Sequence, residues 1–115
     1  MIPSNKEVLV GFADEKIKQA FLALKNGKGA EPDLYGFLDR SFDDLKQNPF
    51  CGIKIPKKLW PKEYTQNYPI TNLWKYDLPN AWRLIYTIAE NEIMIINIIL
   101  EWMTHKEYER RFNYL

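Results

Sequence analysis

An α+β domain is the fold class this sequence predicts, on three observations. The first half carries two helical stripes, the second half carries three closely spaced β-type runs, and a short polar helix signal closes the chain. With 115 residues, 46% of them hydrophobic, one domain spanning 1–115 can bury a core of its own. Hairpin-linked strands imply a mostly antiparallel sheet, with an N-terminal strand and an αα-hairpin, and with the helices on one side.

The elements follow in order. Lys6 to Phe12 (KEVLVGF) is a β-favouring run. Asp14 then suits an N-cap, and Ile17, Phe21 and Leu24 repeat at i, i+4, i+7, which predicts a helix to about Asn26. Gly27 and Gly29 supply its stop. Pro32 and Asp33 suit the first turn of a second helix with the stripe Leu34, Phe37, Leu38, Phe42 and Leu45, ended by Asn48-Pro49. From Cys51 to Pro69, repeated prolines predict an irregular connection, extended over Gly52–Pro56 and briefly helical after Pro61. Leu73–Leu78 alternates Trp74, Tyr76 and Leu78 against Leu73, Lys75 and Asp77, and after the turn Pro79-Asn80-Ala81 the strand Trp82–Ala89 returns. Beyond Glu90-Asn91-Glu92, the run Ile93–Leu100 is almost continuously apolar and predicts the most buried strand, covered on both faces. Thr104, with Glu107 three residues on, predicts a capping box and a short C-terminal helix, HKEYERRF.

Charge and residue usage narrow the function classes. Sixteen Lys and Arg against 15 Asp and Glu leave a formal net charge of +1, so bulk charge does not draw this chain to nucleic acid, although a local basic patch can. Lys54, Lys57, Lys58 and Lys62 form such a patch, interleaved with Trp60 and followed by Tyr64, types suited to RNA phosphate contact and base stacking. A solvated loop is the plainer reading of the same run. Cys51 is the only cysteine and His105 the only histidine, so no internal disulfide, thiolate cluster or histidine-rich metal site is expected, and no cofactor. No Gly-rich phosphate loop or nucleophile elbow is present. The first residues, MIPSNKEVLV, lack the blocks of a signal peptide, and no apolar run is long enough to span a bilayer. A cytoplasmic protein without a membrane partner is the expectation.

Six further positions invite chemistry. His105 has the right intrinsic acidity for proton transfer, and Tyr108 lies on the same helical face; an exposed polar residue is the plain alternative. Arg83 lies inside a strand, where it must be paired or face a cleft; it suits a phosphate, or a salt bridge to Asp77 on the hairpin partner. Lys75 projects from the same sheet and can stabilise negative charge, or simply be solvated. Arg110 and Arg111 can touch phosphate or complement the negative end of their helix.

Taken together, the piece LWKYDLPNAWRLIYTI, the strand IMIINIIL and the ending HKEYERRF resemble the RelE/ParE superfamily of toxins from type II toxin–antitoxin systems. The resemblance spans nearly the whole chain and is strongest from Leu73 to Phe112. It implies a RelE-like fold and a small cytoplasmic ribonuclease, an mRNA interferase that cuts messenger RNA, commonly on the ribosome, and is neutralised by a cognate antitoxin. It implies catalytic roles for Lys75, Arg83, Tyr108 and His105. The superfamily also holds non-nuclease toxins directed at DNA gyrase, and the fold alone does not separate these. Asp77 stands where the better-known RNA-cleaving branch has a second lysine, and no arginine precedes the last helix in EWMTHKEY.

Overall fold

A computed structural model describes residues 6–112. The reading of the first residues as lacking an export signal falls partly on 1–5, outside the described residues.

Strand β1 (Glu7–Phe12) leads into helices α1 (Glu15–Leu24) and α2 (Glu31–Gln47). A short strand β2 (Ile53–Lys54), a 3-10 turn at Lys57–Leu59 and helix α3 (Lys62–Asn67) occupy the proline-rich connection. Strands β3 (Trp74–Asp77), β4 (Trp82–Glu90) and β5 (Met94–Thr104) form the meander, and α4 (His105–Arg111) closes it. The five strands make one sheet in the order β1-β5-β4-β3-β2, parallel only between β1 and β5.

Asp14 caps α1 as expected, its carboxylate accepting from the backbone of Ile17 at 2.8 Å. The hairpin α1–α2 lays Phe21, Leu34, Leu38 and Leu45 on one face of the sheet, against Leu84, Tyr86, Ile95 and Ile99. The opposite face has its own core, in which Tyr64 of α3, Tyr108 of α4 and Phe112 pack on Ile85, Leu100 and Met103.

That second core corrects the expectation of helices on one side only. The connection after α2 is long enough to cross the sheet edge, and Tyr64, 2% exposed, anchors it on the far face. The expected boundaries of the last strand also change. Ile93 lies outside β5 and is 67% exposed, while the strand runs on through Glu101–Thr104. The longest continuously buried stretch belongs to β4, where Leu84 to Ile88 are all buried; β5 alternates between buried and half-buried positions up to Ile99. Helices cover the first face along β5, but its second face is less covered at the N-terminal end, around Ile96 and Ile98.

Asn97 is fully buried in the middle of β5. Its amide donates to the Leu9 carbonyl in β1 at 3.1 Å and to the Leu45 carbonyl at 3.2 Å. Leu45 belongs to the last turn of α2, whose carbonyls lack intrahelical partners, so one side chain ties a helix end to two strands. Asn97→Ala leaves both carbonyls short of a donor and should lower stability by about 1–3 kcal/mol, read from urea unfolding curves.

Candidate functional site

The alternation of β3 turns Lys75 and Asp77 toward the α4 side of the sheet and Trp74 and Tyr76 toward the α1–α2 side. The hairpin turn Pro79–Ala81 fixes this register, with Asn80 and Ala81 in the left-handed region at φ 58° and 62°. Asp77 thereby sits opposite Arg83, and Arg83 opposite Met103 of β5. Trp82 is level with Thr104, so the chain enters α4 beside Arg83.

Thr104 begins α4 with the full capping box. Its hydroxyl accepts from the backbone of Glu107 at 3.2 Å, and the Glu107 carboxylate accepts from the Thr104 backbone at 3.0 Å. The backbone bond from Thr104, and then a second from the Thr104 hydroxyl to the same carboxylate oxygen at 3.0 Å, hold the Glu107 carboxyl below its ordinary acidity range.

Four side chains singled out by sequence come together here. Asp77 Oδ1 accepts from Lys75 Nζ at 2.8 Å and lies 3.1 Å from Arg83 Nε. Arg83 also donates to the Trp82 carbonyl at 3.1 Å and meets His105 Nδ1 at 2.9 Å. A guanidinium only donates, so Nδ1 must accept, and the ring hydrogen sits on Nε2, facing Glu109 at 3.4 Å. Lys75 lies over the Tyr108 ring, 5.6 Å from its centroid, and that ring stacks on Phe112 at 4.4 Å. Tyr108 is 1% exposed, which makes its ring the floor of the cluster.

Compared with protein-family models, with curated proteins and with solved structures, the chain finds no match in any of the three. What the cluster can do follows from its own residues: two fixed cations, a half-exposed carboxylate and an imidazole whose tautomer is set by an arginine.

The remaining candidates lie apart. Lys54 pairs with Trp74, which puts it on the sheet face opposite Lys75, and Lys57 and Lys58 are exposed on the 3-10 turn. Lys54, Lys57 and Trp60 border one hollow of about 380 Å³. Arg110 is exposed. Arg111 donates to both oxygens of Glu101, at 2.6 and 2.7 Å, beside the buried Tyr64 hydroxyl. Burial, and then the Glu101 charge, push the Tyr64 hydroxyl well above the ordinary phenol range. This group lines a separate hollow of about 500 Å³ with Asp14, Lys16 and Tyr68. No set of three or more His, Cys, Asp or Glu is placed to hold a metal ion among the described residues, and no helix among them is long and apolar enough to cross a membrane.

Glu109 and Glu101 are the participants that sequence reasoning missed. The i, i+4 spacing of His105 and Glu109 is a visible signal for the first. The second depends on a strand irregularity that no local pattern announces.

The capping box sets where His105 and Tyr108 stand. Thr104→Ala should cost about 0.5–2 kcal/mol. Because the folded value of Glu107 lies below the unfolded one, its contribution is full above the ordinary glutamate range and is lost as pH falls through the depressed value. The stability difference between the parent chain and Glu107→Gln, measured by urea unfolding, should therefore shrink between about pH 7 and about pH 3.

Proposed function

We propose that this chain is the toxin of a type II toxin–antitoxin pair and acts as a metal-independent endoribonuclease on messenger RNA. The observation that carries this reading is the run of contacts from Lys75 to Asp77, from Asp77 to Arg83 and from Arg83 to His105, which joins cations and imidazole from three elements. The element order, with a strand and αα-hairpin before an antiparallel meander and a closing helix, agrees with the RelE/ParE resemblance of the sequence.

Cleavage by the substrate's own 2′-hydroxyl needs a base, an acid and charge stabilisation, which these residues can supply. Lys75 and Arg83 hold the scissile phosphate. When Arg83 turns to that phosphate, its bond to His105 Nδ1 gives way, and the freed lone pair takes the 2′-hydroxyl proton. The bond from O2′ to phosphorus forms, the bond to O5′ breaks, and the proton ends on O5′. Glu109, facing Nε2, stabilises the imidazolium in between. Tyr108 supports Lys75 from beneath. Lys54, Lys57, Lys58, Arg110 and Arg111 are outlying phosphate contacts in this reading.

One observation favours a second reading, a non-nuclease toxin directed at gyrase or another protein, or a partner-binding member of the fold. Asp77 pairs with both cations, and two of the three Arg83 nitrogens donate hydrogen bonds within the protein, while the buried Nε lies 3.1 Å from Asp77 Oδ1 without a hydrogen bond. Under either reading the partner is an antitoxin, expected from a short neighbouring reading frame.

Induced expression with and without that neighbouring gene, followed by mapping of RNA ends, separates the two. The nuclease reading expects growth arrest and new RNA ends. Arg83→Ala should lower cleavage by about a hundredfold to a thousandfold, and His105→Ala by about a hundredfold to ten-thousandfold. Undiminished cleavage in folded forms of both variants removes this site from the activity, and gyrase-dependent DNA breaks without RNA ends establish the second reading.

A further inference from the structure

We propose that Lys75 and Arg83 form a binding site for one phosphodiester anion whose built-in occupant is the Asp77 carboxylate, so that Asp77 sets how tightly an RNA strand is held. The choice of RNA rests on the nuclease reading above; the anion site rests on the geometry.

A single oxygen, Asp77 Oδ1, lies 2.8 Å from Lys75 Nζ and 3.1 Å from Arg83 Nε. A non-bridging phosphate oxygen makes the same two contacts when it is shared by a lysine and an arginine. Each cation also has a contact apart from Asp77. Arg83 is anchored by the Trp82 carbonyl and by His105, and Lys75 rests over the Tyr108 ring. Their side chains are only 12% and 16% exposed, whereas that of Asp77 is 47% exposed. Asp77 is also the last residue of β3, where rotation about its first side-chain torsion withdraws the carboxylate from both cations. Asp77 is the one carboxylate in contact with the two cations, Glu109 facing the His105 ring instead, so withdrawal of Asp77 leaves Lys75 and Arg83 open to an incoming anion. The contact that must yield has one partner half in water, and such ion pairs are weak. Asp77 therefore acts as a displaceable internal competitor rather than a permanent seal.

The test measures binding of a 2′-O-methyl RNA oligonucleotide, which cannot be cleaved, by fluorescence anisotropy across a salt series. Asp77→Asn should tighten binding by roughly fivefold, the worth of an exposed ion pair. It should also steepen the dependence of log affinity on log salt by about 1, for one more phosphate contact. Adding Lys75→Ala to Asp77→Asn should cancel the gain. Unchanged or weaker binding in both Asp77→Asn and Asp77→Ser, each shown folded by circular dichroism and its thermal midpoint, overturns the proposal. The nuclease reading is scored separately with the cleavable oligonucleotide. Tightened binding without cutting in any form keeps the anion site and removes the nuclease, while cutting with binding indifferent to Asp77 keeps the nuclease and removes the anion site.

Discussion

The structure depends on one constraint: β5 must serve two cores at once, and it does so by slipping one residue. Up to Ile99 its odd-numbered side chains, Ile95, Asn97 and Ile99, face α1 and α2, while Ile98 and Leu100 face α3 and α4. Tyr86 pairs with Ile99 but Ile85 pairs with Glu101, so Leu100 is an extra residue in the strand. An extra residue reverses the alternation beyond it. Trp102 therefore joins the first core and Met103 the second. Without the slip, Glu101 would point into the apolar α2 face, where a carboxylate has no partner and burial is costly. With it, Glu101 meets Arg111 and holds the end of α4 to the sheet.

That attachment is what gives the candidate site its shape. Helix α4 is short, and isolated helices of that length are marginal in water. Here it is held at its start by the Thr104–Glu107 box, along its buried face by Tyr108 and at its end by Arg111. His105 projects from the first of these fixed points and so meets Arg83 at a defined distance. The α1–α2 hairpin has no side chain in this cluster; its contribution is to hold the sheet on which Lys75, Asp77 and Arg83 stand.

Local pattern carried much of this information. The alternation from Leu73 to Leu78 assigned each residue to the face it occupies, because a strand between two unlike surfaces has no freedom to slip. The Asp14 cap, the helix stripes and the capping box are likewise contained within a few residues each. The hairpin register placed Asp77 opposite Arg83, while the approach of His105 and Tyr108 to that pair depends on the long-range pairing of β4 with β5. The reach of the last strand was not. Glu101, Trp102 and Met103 break the run of β-branched residues, and only long-range pairing with Leu84, Ile85 and Arg83 keeps them extended. The second core was hidden for a similar reason. Its anchor, Tyr64, stands in a proline-rich, lysine-rich stretch whose composition reads as loop, and burial of one aromatic ring outweighs that composition.

The vertical order of charge in the cluster decides how it meets a ligand. The cations lie low, close to the sheet and the Tyr108 ring, and the carboxylates of Asp77 and Glu109 stand above them, each 47% exposed. An approaching anion therefore meets repulsion before attraction, and long-range steering toward the site is weak in a chain whose formal charge is only +1. On the proposed reading, affinity comes from contacts made after arrival, at short range, when a phosphate reaches Lys75 and Arg83 and the carboxylate gives way. On the same reading Arg83 exchanges its bond to His105 Nδ1 for one to the phosphate, so ligand occupancy and the availability of the Nδ1 lone pair change together. The proposed function thus couples proton transfer to binding through a single guanidinium.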